Sequence, residues 1–459
     1  MSQNTEVSIS CHCGAAKQTV ALPRATTGEP LDVDLCHCSA CRHSTGLLCA
    51  SYAPIKRPGA LGGLVGYRGG GEKQGRVLAT PTAAVIRYFC ETCGCHVFRS
   101  RTAATHAEDL EEGVAEWSVA TGVIVGRVGA SGEPVDGEGD EEPLLRFARH
   151  VGTASTRDGG LSSFIKAVEG PRELVVCEQS AADDHCDIND RDTCKGDSGV
   201  LNAHCHCKTI RLCVTRPDAS SRVPRSGFSD MIAPFATSPR DVAANPHDEK
   251  WWLRPAGDPN PTQYLAGACA CRSCRLISGF EIQTWAFVPQ GNIFFLPPAP
   301  SPSPSSGIPS TAASSASSPS SVGIPLDFAT LRQEGVPLKS YESSPGVLRE
   351  FCPRCGAAVF WHDRWRPDLV DVSVGLFDAA EGARAETWLE WWCGRVSFDE
   401  EAERGRTGAV ARMARCLVDS LAQGLRRWGE EEKLGGKRVE GRGAFGIGSA
   451  SSASVSRVY

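Results

Sequence analysis

Cys36-His37-Cys38-Ser39-Ala40-Cys41 is met again 233 residues further on as Cys269-Ala270-Cys271-Arg272-Ser273-Cys274. Each copy of this C-x-C-x-x-C run is preceded by a C-x-C pair, Cys11/Cys13 in one case and Cys205/Cys207 in the other. Each is followed by a C-x-x-C-G run, Cys90/Cys93 before Gly94 and Cys352/Cys355 before Gly356. Seven cysteines in one order, twice in one chain, form an internal repeat, and a repeat is read first because it sets the folding unit. Other positions obey the same alignment. Arg42 and Arg275 follow the third cysteine of the middle run, and Gly46 and Gly279 lie at one distance beyond it. Phe89 and Phe351 precede the last pair, and Val97-Phe98 and Val359-Phe360 follow it. Residues 118–122 (SVATG) resemble 371–375 (DVSVG).

The offset between copies grows from 194 residues at the first pair to 233 at the middle run and 262 at the last pair. The second copy therefore carries 39 extra residues before its middle run and 29 after it. The later gain matches residues 297–325, rich in Pro, Ser and Ala and too poor in apolar side chains to pack a core. A disordered surface loop is expected there. The earlier gain is expected within 218–261, a stretch rich in Pro, Ser and Asp. The organisation that follows is a first module over 1–170, an acidic linker over 171–200, a second module over 201–400 and a tail over 401–459. In the tail, residues 401–432 have helix-forming composition, with Val410, Met413, Cys416, Leu417 and Leu421 on one face. From Gly435 onward the composition turns Gly/Ser-rich, and disorder is expected.

Within the modules the β-branched and aromatic runs 85–89, 119–125, 285–288 and 369–376 predict short strands bounded by turn residues. With 48 glycines and 29 prolines to make turns, the fold class is mainly β. Net charge is −6, which supplies no bulk attraction to nucleic acid. The longest apolar runs, such as 293–296, fall far short of the roughly 20 residues a membrane span takes. The N-terminal MSQNTEVSIS has neither a basic nor an apolar leader region, so a cytoplasmic setting is expected, with the nucleus as the alternative.

Cysteine is the outlier, with 22 in the chain. In a reducing compartment clustered cysteines read as metal ligands or catalytic thiols rather than as a disulfide framework. Thiolates one or two residues apart can face one ion from a single turn. The glycine after C-x-x-C permits φ > 0, so that backbone N–H groups can turn toward the sulfurs. A lone C-x-x-C is as often a pair of buried thiols, but the doubled pattern points to metal. Iron–sulfur clusters use the same thiolates, and zinc is the commoner occupant of such knuckles. A closed tetrahedral site takes four ligands, which C-x-C and C-x-x-C-G supply together. The middle run offers three, and three ligands with one open position is the arrangement of a catalytic zinc. The other eight cysteines, Cys49, Cys95, Cys177, Cys186, Cys194, Cys213, Cys393 and Cys416, do not recur and read as small core residues or free thiols. Those of the linker have adventitious metal capture as an alternative. His12, His37 and His206 sit between cysteines, but Ala270 stands where the first copy has His37, so no ligand role is assigned to them.

The motif order is similar to that of the glutathione-dependent formaldehyde-activating enzyme family, also called centromere protein V-like, over roughly 10–165 and 204–400. The segments 158–161 (DGGL) and 388–398 (WLEWWCGRVSF) resemble its C-terminal part. The resemblance implies two tandem β-tent zinc-binding domains of small antiparallel sheets. It implies structural zinc at Cys11, Cys13, Cys90 and Cys93, and at Cys205, Cys207, Cys352 and Cys355. It implies a second zinc at Cys36, Cys38 and Cys41, and at Cys269, Cys271 and Cys274, making two per domain and four per chain. The implied activity is that of a carbon–sulfur lyase of the S-hydroxymethylglutathione-forming type. A thiol such as glutathione is activated at the three-cysteine site and adds reversibly to an aldehyde such as formaldehyde. Both insertions in the second copy, Cys95 within the last motif of the first, and the tandem arrangement depart from the minimal enzyme. Three thiolates leave one Zn²⁺ at net −1, a poor Lewis acid, and Arg42 and Arg275 are candidates to offset that charge, their bland role being surface arginines. The competing reading is a non-catalytic zinc-stabilised module that binds a protein partner, which a fourth ligand near the middle run would favour.

Overall fold

The computed structural model describes residues 4–24, 29–69, 84–102, 115–129, 142–168, 170, 172–178, 199–296 and 323–434. Among these, every strand pairs within its own half of the chain, and the two halves carry the same strand order. In the first half, Thr5–Ile9 lies between Gln18–Leu22 and Ile124–Arg127. In the second, Val200–His204 lies between Arg211–Thr215 and Phe377–Asp378. The larger sheets run Tyr52–Ile55, Ala115–Ala120, His96–Thr102, Ala84–Cys90, Leu64–Arg68 in the first half. In the second they run Gln283–Pro289, Leu369–Ser373, Ala358–Asp363, Val347–Phe351, Lys339–Ser344. These pairings are antiparallel, as expected. Three are parallel: Leu145–Val151 with both Leu31–Cys36 and Val175–Cys177, and Leu389–Trp391 with Gln263–Cys269. Val175–Cys177 falls inside the stretch read as linker and adds an edge strand to the first half.

The helices are α1 (Ser39–Thr45), α2 (Arg240–Ala243), α3 (Arg272–Ser278), α4 (Phe328–Gln333) and α5 (Gly408–Leu434). α1 and α3 each begin at the second cysteine of a middle run. Cys38 and Cys271 act as N-caps, their sulfurs accepting from the N–H of Cys41 (3.4 Å) and Cys274 (3.2 Å). Both helices stop at a glycine in the left-handed region, Gly46 (φ 80°) and Gly279 (φ 83°). The tail forms α5, and the predicted face is buried at Val410, Met413, Leu417 and Leu421, with Leu425 extending it. Cys416 stays partly exposed.

A 3-10 turn interrupts the run 119–125 at Thr121–Val123 and ends the run 369–376 at Val374–Leu376. The cause lies in the opposite half. Gly122 N–H donates to Gly279 O (2.9 Å), and Gly375 N–H donates to Gly46 O (3.2 Å). The contact repeats with the halves exchanged, which is the signature of an isologous interface, here between two parts of one chain. A Cβ on Gly122 would meet the backbone of Gly279 and Phe280, and one on Gly375 the backbone of Gly46 and Leu47. Backbone on both sides cannot yield, so Gly122→Ala and Gly375→Ala are each expected to cost about 1–3 kcal/mol. Urea unfolding measures this, and a change below about 0.5 kcal/mol would show that the two turns are not clamped.

The earlier insertion is ordered. It buries Met231, Trp251 and Trp252 against the second half. Of the Pro/Ser-rich stretch, residues 297–322 lie outside the described residues. Its end does not: Ile324–Pro325 pairs with Ile293–Phe295, so the stretch leaves and rejoins one sheet. The predicted tail disorder from Gly435 onward, and Cys186 and Cys194, also lie outside the described residues.

Candidate metal centres

Four cysteine clusters are assembled, each with its ligand atoms within 4.8 Å of one another: Cys11/Cys13/Cys90/Cys93, Cys205/Cys207/Cys352/Cys355, Cys36/Cys38/Cys41 and Cys269/Cys271/Cys274. All fourteen cysteines singled out in the sequence are in them. No described cysteine forms a disulfide. The closest sulfur pairs lie 3.4 Å (Cys13 to Cys90, Cys205 to Cys207) and 3.5 Å (Cys11 to Cys13, Cys36 to Cys38, Cys207 to Cys352) apart, and every pair within a cluster lies within 4.8 Å. A disulfide needs about 2.05 Å. Four sulfurs about 2.3 Å from one zinc stand about 3.8 Å apart, which falls within the span of these separations.

The two four-cysteine clusters are built alike. A hairpin presents the C-x-C pair, and Ala16 N–H donates to Cys11 Sγ (3.4 Å) as Ile210 N–H does to Cys205 Sγ (3.3 Å). The glycine of each knuckle has the expected positive φ, 77° at Gly94 and 78° at Gly356. It also has a second role. A Cβ on Gly94 would lie 2.7 Å from Phe351 Cγ, and one on Gly356 2.5 Å from Phe89 Cγ, so each knuckle seats the phenylalanine of the opposite half.

In the two middle runs no fourth His, Cys, Asp or Glu among the described residues joins the three sulfurs. Within each of the four clusters, S–H donation from neighbouring thiols holds one sulfur well below the ordinary thiol range. Cys90 is held so by Cys11, Cys207 by Cys205, Cys41 by Cys36 and Cys274 by Cys269. Such a cluster is prepared to exchange its protons for a cation.

Arg42 and Arg275 are not surface residues. Both are buried, and they donate across the interface to Gly375 O (3.3 Å) and Gly122 O (2.7 Å). The cations at the sulfurs are Arg87, whose Nη2 lies 3.5 Å from Cys41 Sγ, and Arg349, whose Nη1 lies 3.3 Å from Cys274 Sγ. Both are buried. Sequence reasoning passed over them, although the signal was present: R-Y-F-C and R-E-F-C share the 262-residue offset of the last pair. One buried guanidinium beside three thiolates and a divalent cation makes the group neutral, which lowers the cost of burying it.

The histidines between cysteines ligate nothing in these clusters. His37 Nε2 lies 2.8 Å from His150 Nδ1, and His150 Nε2 lies 2.6 Å from Ile165 O. A carbonyl only accepts, so His150 donates from Nε2 and receives the N–H of His37. His12 crosses to the second half. Its Nδ1 is 2.9 Å from Tyr341 OH and its Nε2 3.3 Å from Ser273 Oγ, which also accepts from Arg349 Nη2 (3.1 Å). His206 reaches back to Tyr67 OH in the same way (2.6 Å). Burial, then the charges of Arg349 and Arg272, pull the His12 pKa to about 4, so the bridge is neutral at pH 7. Each four-cysteine loop therefore touches residues of the opposite half, and the His12 contact leads through Ser273 and Arg349 to the Cys274 sulfur.

The surroundings of the middle runs differ. Cys36 lines a cavity of about 90 Å³ together with Asp32, Asp34, Tyr52, Arg99, Arg101 and Val151, among others. Cys274 lines a cavity of about 10 Å³ at the interface, beside Cys93, Phe351 and Phe360. That is room for about one water. Cys271 keeps partial exposure.

Residues 6–122 match the family model described as glutathione-dependent formaldehyde-activating enzyme. No curated protein and no solved structure matches the chain.

Proposed function

We propose, on the premise that residues 6–122 belong to the glutathione-dependent formaldehyde-activating enzyme family, that this chain is a zinc-dependent thiol-activating enzyme of the carbon–sulfur lyase class. The proposed organisation is two domains of this type, over 1–170 and 201–400, joined by the linker 171–200 and followed by the tail 401–459. The proposed metal is zinc, four per chain: structural at the two four-cysteine clusters, reactive at Cys36/Cys38/Cys41 and Cys269/Cys271/Cys274. The observation that carries the reading is the three-cysteine cluster without a fourth protein ligand among the described residues, whose Cys36 lines a cavity.

Zinc held there would supply the positive charge that favours the thiolate form of a substrate thiol. The reaction adds a thiol S–H across an aldehyde C=O. A sulfur–carbon bond forms, and the thiol proton ends on the former carbonyl oxygen. The reverse step breaks that carbon–sulfur bond. Arg87 and Arg349 hold positive charge against Cys41 and Cys274, which offsets the excess of three thiolates. Tyr52, Ala50 and Val151 shape the wall beside Cys36. The substrates proposed are a small-molecule thiol such as glutathione and an aldehyde such as formaldehyde, in the cytoplasm. Among the described residues no helix is long and apolar enough to cross a membrane.

The test is metal content and rate together. The native chain is expected to hold four zinc ions and a Cys38→Ser, Cys271→Ser double variant two, with the fold kept, because serine retains both helix caps. Glutathione and formaldehyde followed by NMR are expected to reach the S-hydroxymethyl adduct faster with the native chain than without it. Four zincs with no rate above the uncatalysed reaction would leave the non-catalytic binding module as the better reading. The tight cavity at Cys274 already favours that reading for the second cluster taken alone.

A further inference from the structure

The two middle clusters are the same to the sulfur atoms and differ one layer out. In the first, the cavity beside Cys36 carries Arg99 and Arg101 from one strand and Tyr52 from its neighbour but one. Arg99 lies over the Tyr52 ring, 4.7 Å from its centre, and donates from Nε to Ser118 Oγ (3.3 Å). Arg101 has a buried Nε with no hydrogen-bond partner. No ion pair engages either arginine among the described residues. The two acidic residues of the same cavity are already neutralised: Asp34 by Arg149 through two bonds (2.9 and 3.0 Å), and Asp32 by Arg146 (2.7 Å). The cavity therefore presents two unspent guanidinium groups.

At the second cluster the corresponding positions carry no arginine, and the guanidinium nearby, Arg366 over the Trp361 ring (4.4 Å), is paired with Asp371 (2.7 Å) and Asp363 (3.7 Å). By the repeat offsets, Trp361 stands for Arg99, Asp363 for Arg101, Trp285 for Tyr52, Leu265 for Asp32 and Gly267 for Asp34. Trp285, Trp361 and Phe398 pack around Cys269, Cys271 and Cys274 as one apolar cluster. The earlier insertion packs beside it. Met231 packs onto Gly267, Phe235 stands edge-on to Phe398 (5.7 Å between centres), and Asp230 accepts from Phe398 N–H (2.7 Å).

We propose that the first module alone carries a carboxylate subsite, formed by Arg99 and Arg101 beside Cys36, so that an anionic thiol binds there and not at the second cluster. The proposal rests on the thiol-activating reading of the three-cysteine site and names the substrate class it takes. A thiol placed at Cys36/Cys38/Cys41 directs the rest of its molecule along the cavity, where a carboxylate meets the two guanidiniums in the planar geometry that arginine favours. At the second cluster the same carboxylate would meet tryptophan and Asp363.

Calorimetric titration of the zinc-loaded full chain tests this with three probes: glutathione, glutathione diethyl ester and S-methylglutathione. One glutathione per chain is expected. Arg99→Gln with Arg101→Gln should weaken it by roughly 30-fold while moving the ester by less than about twofold. Arg99→Lys with Arg101→Lys should recover part of the loss, which separates lost charge from lost fold. Two equal glutathione sites, an equal loss for acid and ester, or no loss at all would overturn the subsite. Weak but arginine-dependent binding of S-methylglutathione is the expected pattern. Should it bind as well as glutathione with the same arginine dependence, the subsite stands and the thiol-activating reading falls. Tight glutathione binding that ignores both arginines, with S-methylglutathione bound only weakly, does the opposite: the thiol-activating reading stands and the subsite falls.

Discussion

Cys355→Ser is expected to unfold both halves of the chain in one transition, with a loss of several kcal/mol. Cys355 is fully buried in the second four-cysteine cluster, and serine there removes one of the four thiolates that would hold the proposed zinc. Structural zinc contributes on the order of 10 kcal/mol or more to the small folds it closes, and that stability falls once the ligand set is incomplete. The damage does not stay local. Gly356, the next residue, seats Phe89 of the first half, and Phe351 on the adjoining strand is seated on Gly94. His206, between two further ligands, donates its N–H to His43 O at the end of α1 (2.8 Å). His12 N–H donates to Leu276 O of α3 in the mirror contact (3.1 Å). The knuckles are thus the interface itself, and an interface shared by two cores makes their unfolding one event. Hydrogen exchange followed residue by residue reads this directly. Protection should fall together in His96–Thr102 of the first half and Ala358–Asp363 of the second. Retained protection in the first with loss in the second would mean that the modules fold independently.

The sequence carried the metal clusters almost entirely, because ligation is written in residue type and short spacing. C-x-C, C-x-x-C-G and the middle run each place their sulfurs from one turn, and only the joining of pairs needed the fold. Strand content was legible for the same local reason. What sequence could not show lies across the interface. The turns at Gly122 and Gly375 read as continuous strand from their β-branched neighbours, since nothing local announces the opposite backbone. Arg42 and Arg275 stand next to clustered cysteines in sequence, yet their guanidiniums reach carbonyls of the other half. Arg87 and Arg349 stand three residues before their nearest cysteine and reach a different cluster altogether. Composition locates the earlier insertion within 218–261 but does not show how it packs. Its two adjacent tryptophans are buried in the core, while Met231 packs on Gly267 and Phe235 on Phe398 beside the second cluster, and that packing is what makes the two copies unequal.

The second large effect concerns a buried charge pair that ties three segments together. Arg406, just before α5, places Nη2 2.8 Å from Glu281 Oε1 and 2.6 Å from Thr121 O, while its Nε donates to Ile124 O (3.1 Å). Thr121 Oγ1 donates to the other oxygen of Glu281 (2.8 Å). Both charged side chains are sealed from water, at 0% and 1% exposure. Removing Arg406 strips Glu281 of its hydrogen-bonded counter-charge and leaves Arg275 as the buried cation it still feels, so Arg406→Met is expected to cost about 3 kcal/mol. The repeat itself supplies the control. Leu48 occupies the position in the first copy that Glu281 occupies in the second, and it is buried at 1% exposure. The fold therefore accepts an aliphatic side chain at this place. Glu281→Leu combined with Arg406→Met is expected to recover most of the loss, because desolvation of both ions is then avoided together. Denaturant unfolding of the two single variants and the double variant closes the cycle. If the double variant were as unstable as the sum of the singles, Arg406 would act through its bonds to Thr121 O and Ile124 O, and the charge pair with Glu281 would be incidental to the clamp.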